Sequence, residues 1–317
     1  MSADIRGQGE MPPLQRYDGA LLGLAVGDAI GTTVEFSRRG TFPPLTDMVG
    51  GGPFHLEPGQ WTDDTSMALC LATSLIYVKG FDARDQMNRY CNWMQHGYLS
   101  STGSCFDIGA TVSRALHSYL ATGNPMSGSP DPRSAGNGAL MRLAPIPMLY
   151  ATSEEQTWHF AGESTRTTHG AQEAIECSRL FGLQLRAALL GAGKEQILNI
   201  SPLEPFSAKV QPLVEGGYRD KTRDAIKGSG YCVESLEAAL WCFARTSSFE
   251  EAILEAANLG DDADTTAAIC GQLAGAFYGA PAIPASWRER LAMREEISHM
   301  AGQLLASAAS WGAHGGT

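Results

Sequence analysis

Two acidic-threonine clusters hold the residues best equipped for chemistry in this 317-residue chain. They are Thr62-Asp63-Asp64-Thr65 and, about two hundred residues further on, Asp261-Asp262-Ala263-Asp264-Thr265. Each runs directly into an apolar, alanine-rich stretch, which makes each the first turn of a buried helix. Asp and Thr oxygens satisfy the free N–H groups of such a turn, and the helix dipole favours acids there. Capping needs one side chain per helix end, whereas these ends carry three or four. Carboxylates and hydroxyls are hard oxygen ligands, so the two clusters brought together would hold Mg²⁺ or Mn²⁺. Four carboxylates suit a pair of ions of the kind used in metal-assisted hydrolysis. For each cluster alone, an N-cap with acidic first-turn residues remains the plain alternative.

A joint site requires one compact domain, because the clusters lie near opposite ends of the chain, and no polar linker separates two cores. From Tyr17 the chain reads as a buried helix with Gly19, Gly23, Gly27 and Gly31 on one face, a ridge that lets another backbone approach closely. Asp28 within it is costly to bury unpaired, so a hydrogen bond or a metal is expected at its carboxylate. Residues 38–60 read as a Gly/Pro-rich loop leading to the first cluster, after which Met67, Leu71, Leu75 and Val78 recur at helical spacing. Further helices are expected over 103–122, over 138–150 with breaks at Pro145 and Pro147, twice within 154–200, and over 231–257. The second cluster opens an Ala/Gly-rich helix through Tyr278. Alternating strand patterns are nearly absent.

Forty-four per cent of the residues are apolar, ample for a core, and the net charge is −11. With no basic block of five residues, nucleic-acid binding is a poor fit. No apolar run approaches the ~18–20 residues that span a bilayer, so no membrane association is expected. The polar start lacks an export signal, and seven scattered cysteines without metal spacing predict free thiols in a cytoplasmic protein. Residues 1–16 are expected to form a flexible arm ahead of a domain over 17–317.

Five segments then occur in order: Gly27-Asp28-Ala29-Ile30-Gly31 with Glu35, Thr62-Asp63-Asp64-Thr65, Gly136-Asn137-Gly138 with Met141-Arg142, Thr168-His169, and Gly260-Asp261-Asp262-Ala263-Asp264-Thr265. In this order they resemble the ADP-ribosylglycohydrolase family, which includes the dinitrogenase reductase-activating glycohydrolases and the ADP-ribosylhydrolases. The resemblance runs from about Tyr17 to Pro281. It implies an all-α, compact, single-domain orthogonal helical bundle, with two Mg²⁺ (or Mn²⁺) ions held at helix N-termini. The implied ligands are Thr62, Asp63, Asp64, Asp262, Asp264 and Thr265, with Asp261 turned away or capping.

The implied reaction removes ADP-ribose from modified protein side chains, the metal pair orienting the distal ribose and activating water at C1″. Glu35, Asp63, Asp107 and Asp262 are the implied catalytic set. Asp107, Gly109, Gly136, Asn137, Gly138, His169 and Tyr231 are the implied substrate contacts, Tyr231 by stacking on adenine or by closing the pocket. For Arg142 a structural salt bridge is expected. A cationic guanidinium leaving group favours the arginine linkage over O-linked serine. The alternative from a different class is an immunity-type protein that sequesters a cognate ADP-ribosyltransferase toxin through the arm of residues 1–16.

Overall fold

The computed structural model describes Met11 and residues 13–314, and these fold as fourteen α-helices joined by loops. The first half holds α1 (Pro13–Gly31), α2 (Asp63–Val78), α3 (Ala83–His96), α4 (Ala110–Thr122), α5 (Pro145–Leu149) and α6 (Glu154–Arg166). The second half holds α7 (Gln172–Leu189), α8 (Lys194–Leu198), α9 (Gln211–Val214), α10 (Cys232–Arg245), α11 (Phe249–Ala257), α12 (Ala263–Tyr278), α13 (Ala285–Arg290) and α14 (Arg294–His314). Only isolated β-bridges occur among the described residues, and no described helix is long and apolar enough to cross a membrane. The all-α, single-domain expectation therefore holds.

The centre of the molecule is the crossing of α1 with α12, and the glycine ridge explains it. A Cβ on Gly19, Gly23, Gly27 or Gly31 would collide with the backbone carbonyl of Gly275, Gly271, Ala267 or Ala263, respectively. As the first series ascends the second descends, so the two helices run antiparallel with their backbones in contact. No other residue type permits that approach. Its consequence for function is direct: the C-terminal end of α1, with Asp28 and the following Glu35, lies against the N-terminal end of α12, with Asp262 and Asp264. From residue 20 to Gly31, every residue of α1 is buried.

Helices α2 and α12 begin at Asp63 and Ala263, as the capping pattern predicts. Elsewhere the boundaries differ from expectation. The span 103–122 is helical only from Ala110; the preceding residues form a loop in which Asp107 takes φ 59°. Pro145 starts a helix instead of breaking one, because the first helical position needs no N–H donor. The span 231–257 is two helices, since Ser248 caps α11 by accepting a bond from the Glu251 amide at 3.1 Å. Helices α3 and α14 had no counterpart in the sequence expectations. The arm expected over 1–16 lies mostly outside the described residues, but Pro13–Arg16 belong to α1. There Arg16 donates to the carbonyls of Ala188, Ala276 and Phe277. All seven cysteines are free.

Candidate active site

Asp28 is the group around which the site is built. It is fully buried, and its Oδ1 accepts from the Thr62 amide and hydroxyl, both at 2.9 Å. Its Oδ2 accepts from the Thr65 amide at 3.0 Å and hydroxyl at 2.6 Å. Thr62 occupies the N-cap position of α2 without capping it through its own side chain. A carboxylate on a neighbouring helix does that work. With its hydroxyl proton given to Asp28, Thr62 keeps its oxygen lone pairs free to face the second cluster, where Asp264 Oδ2 lies 3.5 Å away.

The two acidic-threonine motifs meet across α2 and α12. Thr265 Oγ1 donates to Asp64 Oδ1 at 3.2 Å, a contact spanning 201 positions of sequence. Two groups of carboxylates have oxygens within 4.8 Å of one another: Asp28, Asp64 and Asp264, and Glu35, Asp107 and Asp264. Asp264 belongs to both and sits between them. The Asp107 carboxyl also contacts that of Asp63, and Asp262 contacts Asp264 and Thr265. Asp261 takes φ 58° and is exposed. It turns away as expected, while the N-cap position belongs to Asp262, whose side chain makes no capping bond.

Like charges packed out of water dominate the electrostatics. Burial, reinforced by Asp107, Asp262 and Asp28, pushes the Glu35 carboxyl up to about 9. Burial and then Asp28 raise Asp107 to about 7. Asp63, Asp64 and Asp264 are held well above the carboxylate range by burial first and by their acidic neighbours second. Asp28 rises only to about 6, because its four hydrogen bonds oppose the cost of burial. No Lys or Arg side chain lines this site to balance the charge. Glu35 Oε2, Asp64 Oδ2 and Asp264 Oδ1 are buried without any hydrogen-bond partner. Orphaned carboxylate oxygens in these two groups, with threonine hydroxyls beside them, suit divalent cations.

Beside this cluster opens a cavity of about 520 Å³, large enough for a ligand of nucleotide size. Glu35, Asp63, Asp107, Gly109, Gly136, Asn137, Gly138, His169, Asp262, Asp264 and Thr265 all line it. Thr62 and Asp64 are fully buried and are not among its lining residues. The start of α4 borders it with Gly109, Ala110 and Thr111, so that helix directs its first amides toward the space. Gly109 itself has φ −62° and open space where a Cβ would sit, so the position does not demand glycine.

Several expected contacts are arranged differently. The amides of Gly136 and Asn137, both implied substrate contacts, already donate to the carbonyls of Ser134 at 2.8 Å and Gly230 at 3.1 Å. Gly136 and Gly138 instead make room for the His169 ring, to which an added Cβ would come within 3.2 Å and 3.0 Å. Arg142 forms no salt bridge among the described residues. It is buried, donates to the Gly138 carbonyl and to Thr168 Oγ1 at 2.6 Å, and stacks 4.9 Å from the Tyr90 ring centroid. Tyr231 does not line the cavity; its hydroxyl donates to Glu173 at 2.5 Å and only its neighbour Gly230 reaches the space.

His169 is held neutral, its imidazole lowered to about 3 by burial and by nearby Arg142. Thr168 Oγ1 accepts from Arg142 and lies 2.9 Å from His169 Nδ1. The pairing that leaves no donor idle has Thr168 donating to Nδ1, which places the ring proton on Nε2, toward the cavity. Lining residues the sequence did not single out include Phe36, Ile108 and Val112. Phe36 follows Glu35 directly, but an apolar residue beside a turn carries no signal by itself.

This arrangement matches known proteins over nearly its whole length. The model of the ADP-ribosylglycohydrolase family matches residues 10–314, and the chain belongs to that family. It is 45% identical to the ADP-ribosylarginine hydrolase Tri1 of Pseudomonas putida (strain GB-1), over 92% of this chain and 78% of that one. It is 32% identical to the ADP-ribosyl-[dinitrogen reductase] glycohydrolase of Rhodospirillum rubrum, over 92% of this chain and 95% of that one. Among solved structures, a chain of an ADP-ribosylglycohydrolase-related protein complex superposes with a TM-score of 0.84 at 45% identity, covering 93% of this chain and 99% of that chain.

Proposed function

We propose that this protein hydrolyses the N-glycosidic bond between ADP-ribose and a protein arginine side chain. The observation that carries it is the meeting of the two acidic-threonine motifs at the converging ends of α1, α2 and α12, beside a cavity of nucleotide size. The name of the relative Tri1, an ADP-ribosylarginine hydrolase, supports the same linkage. Charge supports it too. Seven carboxylates make up the cluster, Asp28, Glu35, Asp63, Asp64, Asp107, Asp262 and Asp264, against four positive charges from two divalent ions. A cationic guanidinium is welcome in the remainder; a neutral serine hydroxyl gains nothing from it.

Thr62, Asp63, Asp64, Asp262, Asp264 and Thr265 would hold two Mg²⁺ or Mn²⁺ ions. When bound, such ions supply Lewis-acid activation of water and fix the ribose hydroxyls. The chain's own groups do the rest. Glu35, at the wall beside Asp107 and Asp264, orients the attacking water and takes its proton, its carboxyl being ionised once bound cations offset the acidic neighbours that raise it. Asp107 faces the guanidine, which receives that proton as the bond to C1″ breaks. In the net reaction the water oxygen ends on C1″ and one hydrogen on the departing nitrogen. The first amides of α4 face the pyrophosphate, and His169 presents Nε2–H to the ribose-phosphate. Hydrolysis accounts for this machinery, whereas sequestration of a toxin does not require it.

The test is to incubate the protein with peptides ADP-ribosylated on arginine or on serine, with Mg²⁺ and with EDTA. Release of ADP-ribose from the arginine peptide alone, abolished by EDTA, is expected. Turnover of only the serine peptide, or turnover indifferent to EDTA, would sink the assignment.

A further inference from the structure

Three aromatic rings form a row that reaches the cavity at its Phe36 end, and the roles assigned above leave them unused. Phe36 lines the cavity yet is 68% exposed. Its ring centroid lies 6.4 Å from that of Phe54, which lies 5.2 Å from that of Phe106. The three come from separate loops: the turn after α1, the loop closed by the Gly51–Leu56 bridge, and the loop before α4. Each end of the row is next in sequence to a carboxylate of the site, Glu35 beside Phe36 and Asp107 beside Phe106.

Packing does not explain Phe36. Its φ of 63° lies in the left-handed region, which a bulky side chain rarely occupies. The conformation is enforced by reciprocal backbone bonds to the second acidic motif. The Phe36 amide donates to the Asp261 carbonyl at 2.7 Å, and the Asp261 amide donates to the Ser37 carbonyl at 2.8 Å. Asp261 is itself left-handed. The same loop that delivers Asp262 therefore holds an exposed ring over the cavity, and strain kept in such a place points to a role there. None of the cation–ring contacts among the described residues involves Phe36, Phe54 or Phe106.

We propose that this row is the seat of the modified arginine itself, its guanidinium stacked on Phe36 and its stem lying along Phe54 and Phe106. A guanidinium is flat, cationic and weakly hydrated, and pairs with aromatic faces and carboxylates together. The row offers rings next in sequence to Glu35 and Asp107, at a cavity that no Lys or Arg lines among the described residues. ADP-ribose alone lacks the guanidinium that the rings and carboxylates would hold. The inference rests on the arginine linkage proposed above and adds the surface that recognises the protein side of that bond.

Steady-state hydrolysis of an ADP-ribosyl-arginine peptide by Phe36→Ala, Phe36→Tyr and Phe54→Ala, with calorimetric binding of free ADP-ribose and of Mg²⁺ to each, tests it. Phe36→Ala is expected to raise KM about 3- to 30-fold with kcat within about twofold. Affinities for ADP-ribose and Mg²⁺ should stay within about twofold. Phe36→Tyr keeps the ring and should keep KM. Phe54→Ala, which leaves the Glu35 turn untouched, should shift KM in the same direction by less. An unchanged KM in Phe36→Ala overturns the proposal, as does an equal loss of ADP-ribose affinity or an equal defect in Phe36→Tyr. If the wild type leaves the arginine peptide intact, the linkage fails and the role of the row with it; the other adverse outcomes remove the role of the row alone.

Discussion

Asn137 Nδ2 donates to Asp262 Oδ2 at 2.7 Å and to Ser235 Oγ at 3.2 Å. One side chain thus joins the loop before α5, the first turn of α10 and the N-cap of α12. An amide so engaged has no hydrogen left for a ligand. Asn137, expected as a substrate contact, lines the cavity and also aims a carboxylate. The bond also opposes the rise that burial imposes on Asp262, favouring the ionised form that a cation needs.

Asn137→Ala is therefore expected to weaken Mg²⁺ binding about 10- to 100-fold, the usual cost of losing a group that orients a metal ligand. Ser235→Ala, one step further from the site, should weaken it less. Titration calorimetry on the metal-stripped proteins measures both. Unchanged affinity in Asn137→Ala would mean that Asp262 needs no such support.

Asp264 stands in both carboxylate groups, and its removal should have opposite effects on activity and stability. Asp264→Asn is expected to lower kcat at least about 100-fold, as should Asp63→Ala. In EDTA, however, Asp264→Asn should melt at or above the wild-type temperature, because it relieves repulsion among buried carboxylates. A variant with full activity would contradict the metal assignment. One that melts lower in EDTA would contradict the repulsion argument.

The same repulsion sets a pH dependence in the absence of metal. Glu35, Asp107 and Asp28 are raised in the folded state to about 9, 7 and 6, respectively. The folded protein thus binds more protons than the unfolded chain. Stability from these groups is fully present below about pH 4 and is lost as pH climbs through their folded values. Melting in EDTA should fall from pH 5 to 9, and saturating Mg²⁺ should remove most of that slope by replacing protons with cations. Parallel pH profiles with and without Mg²⁺ would rule out binding at this cluster.

His169 acts with the opposite sign. Its folded value is about 3, against about 6.5 for an unperturbed imidazole. Its contribution is complete above about pH 6.5 and is lost as pH falls toward 3, since only the unfolded chain takes up the proton. His169→Gln should accordingly lose less stability than the wild type between pH 7 and 4, read as the difference in urea midpoints. Equal losses would place a charged or solvated imidazole at this position.

At the helix crossing, Gly271→Ala inserts a methyl against the Gly23 carbonyl. The helices must separate, and a destabilisation of about 1–3 kcal/mol is expected from urea unfolding. Because α12 carries Asp262 and Asp264, Mg²⁺ affinity should fall as well. A stable variant with normal metal binding would show that the close approach is dispensable.

The sequence by itself determined what is local. Thr62-Asp63-Asp64 and Asp262-Ala263-Asp264 announce helix starts with more oxygen ligands than capping uses, and the four-residue glycine spacing of α1 announces a close crossing. The ordered motifs then identified the family. Tertiary structure alone decided what depends on partners distant in the chain. That Asp28 caps α2 from outside, that Asn137 serves Asp262, and that Arg142 rests on Tyr90 without an acid are all consequences of which backbones touch. Phe36 shows the limit most plainly. A phenylalanine in a loop has no pattern to read, and its exposure, strain and aromatic neighbours exist only once Asp261 has folded against Ser37.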